Sequence, residues 1–139
     1  MFWRKKPVPR FVHLVMFMND ERTPERQYEA IISPASVDSE GQPDLDLLRA
    51  MISCRYVQRF ICEGGIVGWC DEDGGMTRRP FSVVVERGGG HTGLLRGPVV
   101  FVVENPTSPE DSIARVLRIA APLPASQSKD SGRREPTPQ

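Results

Sequence analysis

Two histidines and three cysteines are all the imidazole and thiol ligands that this chain of 139 residues contains. The cysteines, Cys54, Cys62 and Cys70, are evenly spaced and form none of the close C-x-x-C pairs of structural zinc sites. An odd count fits no disulfide framework, so they read as small buried hydrophobes in a reducing compartment. No apolar run approaches the ~20 residues of a membrane helix. The opening MFWRKKPVPRFVHLVMFMNDE has the charge order of a secretory leader, but its apolar run is short. Asn19, Asp20 and Glu21 then follow in place of small cleavage-site residues. The expectation is a basic arm over 1–10 and a cytoplasmic protein without membrane contact. Neither G-x-x-x-x-G-K-[ST] nor G-x-S-x-G occurs, and no Cys/His constellation accompanies the two histidines. A non-enzymatic protein with no cofactor is expected.

Formal charge is balanced, but unevenly spread. Residues 1–10 hold Arg4, Lys5, Lys6 and Arg10 with no acid, which leaves the body with a surplus of carboxylates. A body of that sign does not suit duplex binding, so nucleic acid is a partner only through the N-terminal arm. The length allows one domain, placed at 11–122. The segment 123–139 is expected to be a disordered tail, because it lacks large apolar residues.

Hydrophobic patterning gives the elements. FVHLVMFM over 11–18 reads as a central strand apolar on both faces, and QYEAIIS over 27–33 as its hairpin partner. PASVDSEGQP reads as a loop. DLDLLRAMIS over 44–53 reads as a helix with Leu45, Leu48 and Ile52 on one face. RYVQRFICE and IVGWCDE read as strands joined at Gly64-Gly65 by a two-residue turn. That register sets Phe60 opposite Trp69 and puts Cys62 and Cys70 on opposite faces. FSVVVE reads as a strand by composition, GGGHTG as a flexible connection, and Val99–Val103 as a second central strand. TSPEDSIARVLRIAA reads as a helix capped by Thr107 or Ser108, with Pro109 in its first turn and Ile113, Val116, Leu117 and Ala120 as its buried stripe. The sum is an α+β domain: a mixed or antiparallel sheet of about five strands, with two to three helices packed on one side.

Two stretches could carry chemistry. WCDEDGG places Asp71, Glu72 and Asp73 in a row, but a calcium loop needs alternate acids, a glycine at position six and a glutamate at position twelve. Counted from Asp71, those positions hold Met76 and Ser82, so Asp73-Gly74 reads as a turn and no metal site is assigned. The second stretch is rich in arginine and glycine. Arg78, Arg79, Arg87, Gly89, Gly90, His91 and Arg96 would form an anion site if they converge, through backbone N–H groups and guanidinium forks. His13, in an apolar strand, reads as a satisfied core histidine.

From residue 11 to about 120 the order of pieces resembles a small domain family of unknown function that recurs in tailed phages, prophages and plasmids. The residues that carry the resemblance are DLDLLRAMISCRYVQRF, the acid-rich turn WCDEDGG, the strand LLRGPVVFVV and the helix start TSPEDSIARVL. The family would place a short helix where composition gives the strand FSVVVE. The resemblance implies a mobile-element origin and no particular activity. Two functions compete: a binding protein that inhibits or regulates a host protein, and a sequestering protein for a small anionic ligand such as a nucleotide signal. A metal-dependent hydrolase using His91 or the Asp71–Asp73 cluster ranks third, and homo-oligomerisation stays open.

Overall fold

A computed structural model of the protein describes residues 10–18, 28–74 and 81–123. The elements run β1 (Arg10–Met18), β2 (Glu29–Val37), α1 (Leu45–Ile52), β3 (Val57–Ile61), β4 (Val67–Asp71), β5 (Ser82–Gly88), β6 (His91–Arg96), β7 (Val99–Glu104), α2 (Pro109–Leu117) and β8 (Ala120–Leu123). The fold is α+β. Five strands form one antiparallel sheet in the order β2-β1-β7-β4-β3, and three form a second in the order β6-β5-β8.

The central strands explain the layering. β1 and β7 are apolar at nearly every position, so each buries both faces. Val12, Leu14 and Met16, with Val100 and Val102, face α1 and bury Leu48 and Ile52 beneath it. Burying those two side chains contributes roughly 3–6 kcal/mol. Val15 and Phe17, with Val99, Phe101 and Val103, face the other way, against Val83 and Val85 of the small sheet and Val116 of α2. The two helices therefore lie on opposite faces of the main sheet rather than on one. The small sheet fills the side that α2 alone is too short to cover.

Caps set the helix limits. The Asp44 side chain accepts from the Asp46 N–H at 3.0 Å, and Ser108 Oγ accepts from the Asp111 N–H at 3.0 Å, with Pro109 opening α2. α2 stops at Leu117, which is exposed, and Ala120 belongs to β8 instead of a longer helix stripe. β5 is a strand, as composition indicates, and not the short helix that the resemblance implies and that is the favoured expectation from the sequence; GGGHTG is the tip of the β5–β6 hairpin rather than a flexible connection. β2 runs through Pro34 to Val37, past the expected loop start. A proline is tolerated there because β2 is an edge strand, where a missing N–H costs no ladder bond. The segments 1–9, 19–27, 75–80 and 124–139 lie outside the described residues; they hold the basic arm except Arg10, which opens β1, and the tail except Leu123, which ends β8.

Candidate functional site

Of the arginine- and glycine-rich set, the five described residues, Arg87, Gly89, Gly90, His91 and Arg96, are spread over the two ends of the β5–β6 hairpin. Gly89 and Gly90 are the two-residue turn of the β5–β6 hairpin, with φ of 63° and 81°, which glycine adopts without strain. His91 begins β6 beside them, exposed. Arg87 lies at the same end, but its guanidinium carbon sits 5.6 Å from the centroid of the Phe60 ring. That stacking is a cation–π contact at the rim of the core. Arg96 closes the other end of β6, paired with Ser82. Five strand positions separate it from His91, about 17 Å. Arg78 and Arg79 lie outside the described residues.

The acid-rich stretch is a turn. Asp71 is buried at the end of β4, and its carboxylate accepts from the Asp73 N–H at 2.9 Å. Gly74 packs so closely on β6 that a Cβ there would lie 2.3 Å from the Arg96 carbonyl oxygen. Among the described residues, no three His, Cys, Asp or Glu side chains are grouped to hold a metal ion.

The histidine of the apolar strand is hydrogen-bonded, as its setting suggests. His13 Nδ1 lies 2.8 Å from Ser112 Oγ. The pair has the composition of a Ser–His dyad, but Ser112 is 0 % exposed and no substrate can reach its hydroxyl. It ties α2 to β1. Cys62 and Cys70 are also buried. Burial raises each thiol from the ordinary 9.0 to about 11, against a lowering pull from Arg87, and the Asp71 charge adds to the rise at Cys70.

The feature that sequence reasoning missed is the β3 edge. The turn before β4 is a 3₁₀ turn over Glu63–Gly65, so Cys62 rather than Ile61 closes the hairpin: its N–H donates to the Ile66 carbonyl at 2.8 Å. The extra residue shifts the register by one. Phe60 pairs with Gly68, and Trp69 pairs with Arg59 on the opposite face. Cys62 and Cys70 consequently share a face and one core cluster. Four strand positions, about 13 Å, keep them from bonding.

That register also decides which backbone groups β3 leaves open. The bonds Cys62 N–H to Ile66 and Glu72 N–H to Tyr56 belong to one alternating ladder. The ladder turns the N–H and C=O groups of Gln58 and Phe60 toward β4, and those of Val57, Arg59 and Ile61 away from it. β3 ends the sheet, so those outward groups have no strand beside them among the described residues. Ile61 is 50 % exposed and Tyr56 is 56 % exposed, which leaves apolar surface on both sides of the open edge. Arg55, Gln58 and Arg59 are exposed along it. The indole N–H of Trp69, one strand inward from Arg59, is buried without an acceptor among the described residues.

No protein-family model, curated protein or solved structure matches the chain.

Proposed function

We propose that the protein is a small non-enzymatic binding protein that captures an extended segment of another protein as a sixth strand along β3. The observation that supports this reading is the open edge itself: three outward backbone positions in register, at Val57, Arg59 and Ile61, flanked by exposed Ile61 and Tyr56. Strand addition draws affinity from main-chain hydrogen bonds and specificity from alternate side chains. The other edge of the main sheet is less suited, because β2 carries Pro34, which has no N–H to donate.

The partner is foreign rather than a second copy. An antiparallel self-pairing that uses all three outward positions sets Arg59 against Arg59 of the other copy, and like charges directly opposite are unfavourable. In the setting that the resemblance implies, the chain is of phage or plasmid origin and the captured segment belongs to a host protein that it inhibits or regulates. Support for that setting rests on the quoted motifs alone.

The test exploits the backbone. Ile61→Pro removes one outward N–H and no β3–β4 ladder bond, whereas Ile61→Thr keeps the N–H and the strand preference. Amide exchange at Val57, Arg59 and Ile61 should slow when a partner is bound. Binding should be lost in the proline variant and retained in the threonine variant, with both folded by circular dichroism. Equal binding by the two variants would place the interaction elsewhere.

A further inference from the structure

The charges beside the open edge define what kind of strand fits it. Arg59 is the middle of the three outward positions, exposed, with no ion pair among the described residues. Arg55 precedes the strand, also exposed and with no ion pair among the described residues. The nearest acid is Asp71, buried on β4 opposite Val57 and on the same face as Arg59. Glu63 follows the strand in the 3₁₀ turn, and Glu72 is held opposite Tyr56 by its backbone bond. None of the three is level with Arg59. On the same face, Val57 packs into the α1-side cluster and Ile61 is half exposed, so Arg59 is a cation between two aliphatic side chains.

From this we infer that β3 selects an extended segment with a carboxylate facing Arg59 and apolar residues two positions to either side, added antiparallel. The inference rests on the strand-addition reading and deepens it. Every neighbouring pair in the main sheet is antiparallel, and the outward groups of Arg59 would exchange both hydrogen bonds with the residue opposite. In that geometry the two Cα atoms are about 5.5 Å apart, which brings a glutamate within reach of the guanidinium. The apolar residues on either side would meet Val57 and Ile61 and cover the half-exposed isoleucine. The arginine thus excludes a second copy and admits an acidic strand, the way edge charges set pairing in other sheets.

The probe is a set of three short capped peptides, threonine at alternate positions, with valine, a test residue and valine on the face between. The test residue is glutamate, glutamine or lysine. Titration calorimetry should rank them glutamate, glutamine, lysine, with the first about five-fold or more tighter than the last, equivalent to ~1 kcal/mol. Rising salt should narrow the gap, because the pair is exposed. Arg59→Glu should reverse the order, so that the lysine peptide binds best. Exchange protection of the Val57, Arg59 and Ile61 amides locates the peptide. If the peptides protect those amides but bind equally, and Arg59→Glu leaves them equal, strand addition stands and the acidic preference is overturned. If none of them protects those amides, strand addition fails, and the preference fails with it.

Discussion

The tip of the Phe60 ring occupies the space where a side chain on Gly68 would stand. A Cβ built on Gly68 lies 2.3 Å from Phe60 Cζ, far inside contact distance. The pair joins β3 to β4, and the same ring meets Phe101 of β7 edge-on, with centroids 6.2 Å apart. Gly68→Ala should therefore destabilise the protein by ~1–3 kcal/mol, the range for overpacking a filled core. Phe60→Ala should cost ~3–5 kcal/mol. Combining Gly68→Ala with Phe60→Leu should cost less than the sum of the two single changes, because the smaller side chain vacates the clash. Denaturant unfolding of the four variants, Phe60→Leu alone included, measures these differences. An unaffected Gly68→Ala variant would restore the register in which Phe60 faces Trp69.

The His13–Ser112 bond joins the first strand to the last helix. Ser112→Ala should lower stability by ~1–2 kcal/mol, since the half-buried imidazole loses its partner. A double-mutant cycle with His13→Ala should show a coupling of roughly 1 kcal/mol. No change in any enzymatic assay is expected, because the serine is sealed from solvent.

Thiol chemistry should separate the three cysteines. Cys62 and Cys70 are buried with thiols raised to about 11, so native protein at pH 8 should leave them unmodified by iodoacetamide. Cys54, half-buried, should react first. The linkage has a definite sign. A thiol whose folded value exceeds its unfolded 9.0 contributes stability that is complete below pH 9 and is lost as pH rises toward about 11. Unfolding midpoints should fall across that window, and a double Cys62→Ala, Cys70→Ala variant should show a weaker fall despite a lower starting point.

The turn after β4 is predicted to be structural. Gly74→Ala drives a methyl against the Arg96 backbone carbonyl and should destabilise by ~1–3 kcal/mol. Added magnesium or calcium should leave the thermal midpoint of the wild-type protein unchanged. A midpoint that climbs with metal concentration would show a site at Asp71, Glu72 and Asp73.

The two ends of β6 give a last prediction. If a phosphate-bearing ligand is ever found for this chain, Arg96→Ala and Arg87→Ala should not weaken it alike, since about 17 Å separates the two ends of the strand. A roughly tenfold loss in both variants, measured by calorimetry, would show that the two arginines converge in the bound state.

How far the sequence led can be seen strand by strand. FVHLVMFM and the run Val99–Val103 are apolar on both faces, and they are indeed the adjacent central strands, β1 and β7. The start of α2 was readable because Ser108, Pro109, Glu110 and Asp111 each favour the same end of a helix for a separate reason. Register was less legible. Two glycines after RYVQRFICE suit a two-residue turn as well as a 3₁₀ turn, and the choice depends on whether Glu63 joins the turn, which no local propensity decides. The placement of the helices on opposite faces was hidden for a different reason. Strands buried on both sides do not say which side each helix takes. The open edge of β3 was invisible because exposure of backbone groups follows from strand order, and strand order joins residues far apart in the chain.

The pairing of Val12 with Glu104 has a bearing on how the molecule comes to exist at all. The central seam of the main sheet closes between the beginning of the described chain and a strand near its end. Long loops must be closed before that seam rewards them, which places the protein among slow-folding topologies. A nascent chain that has not yet presented β7 holds three separate hairpins, β1–β2, β3–β4 and β5–β6, each with an uncovered apolar face. Synthesis of this protein therefore includes an interval in which the strands destined for its interior are sticky. Any chaperone demand, and any loss to aggregation, should be concentrated there.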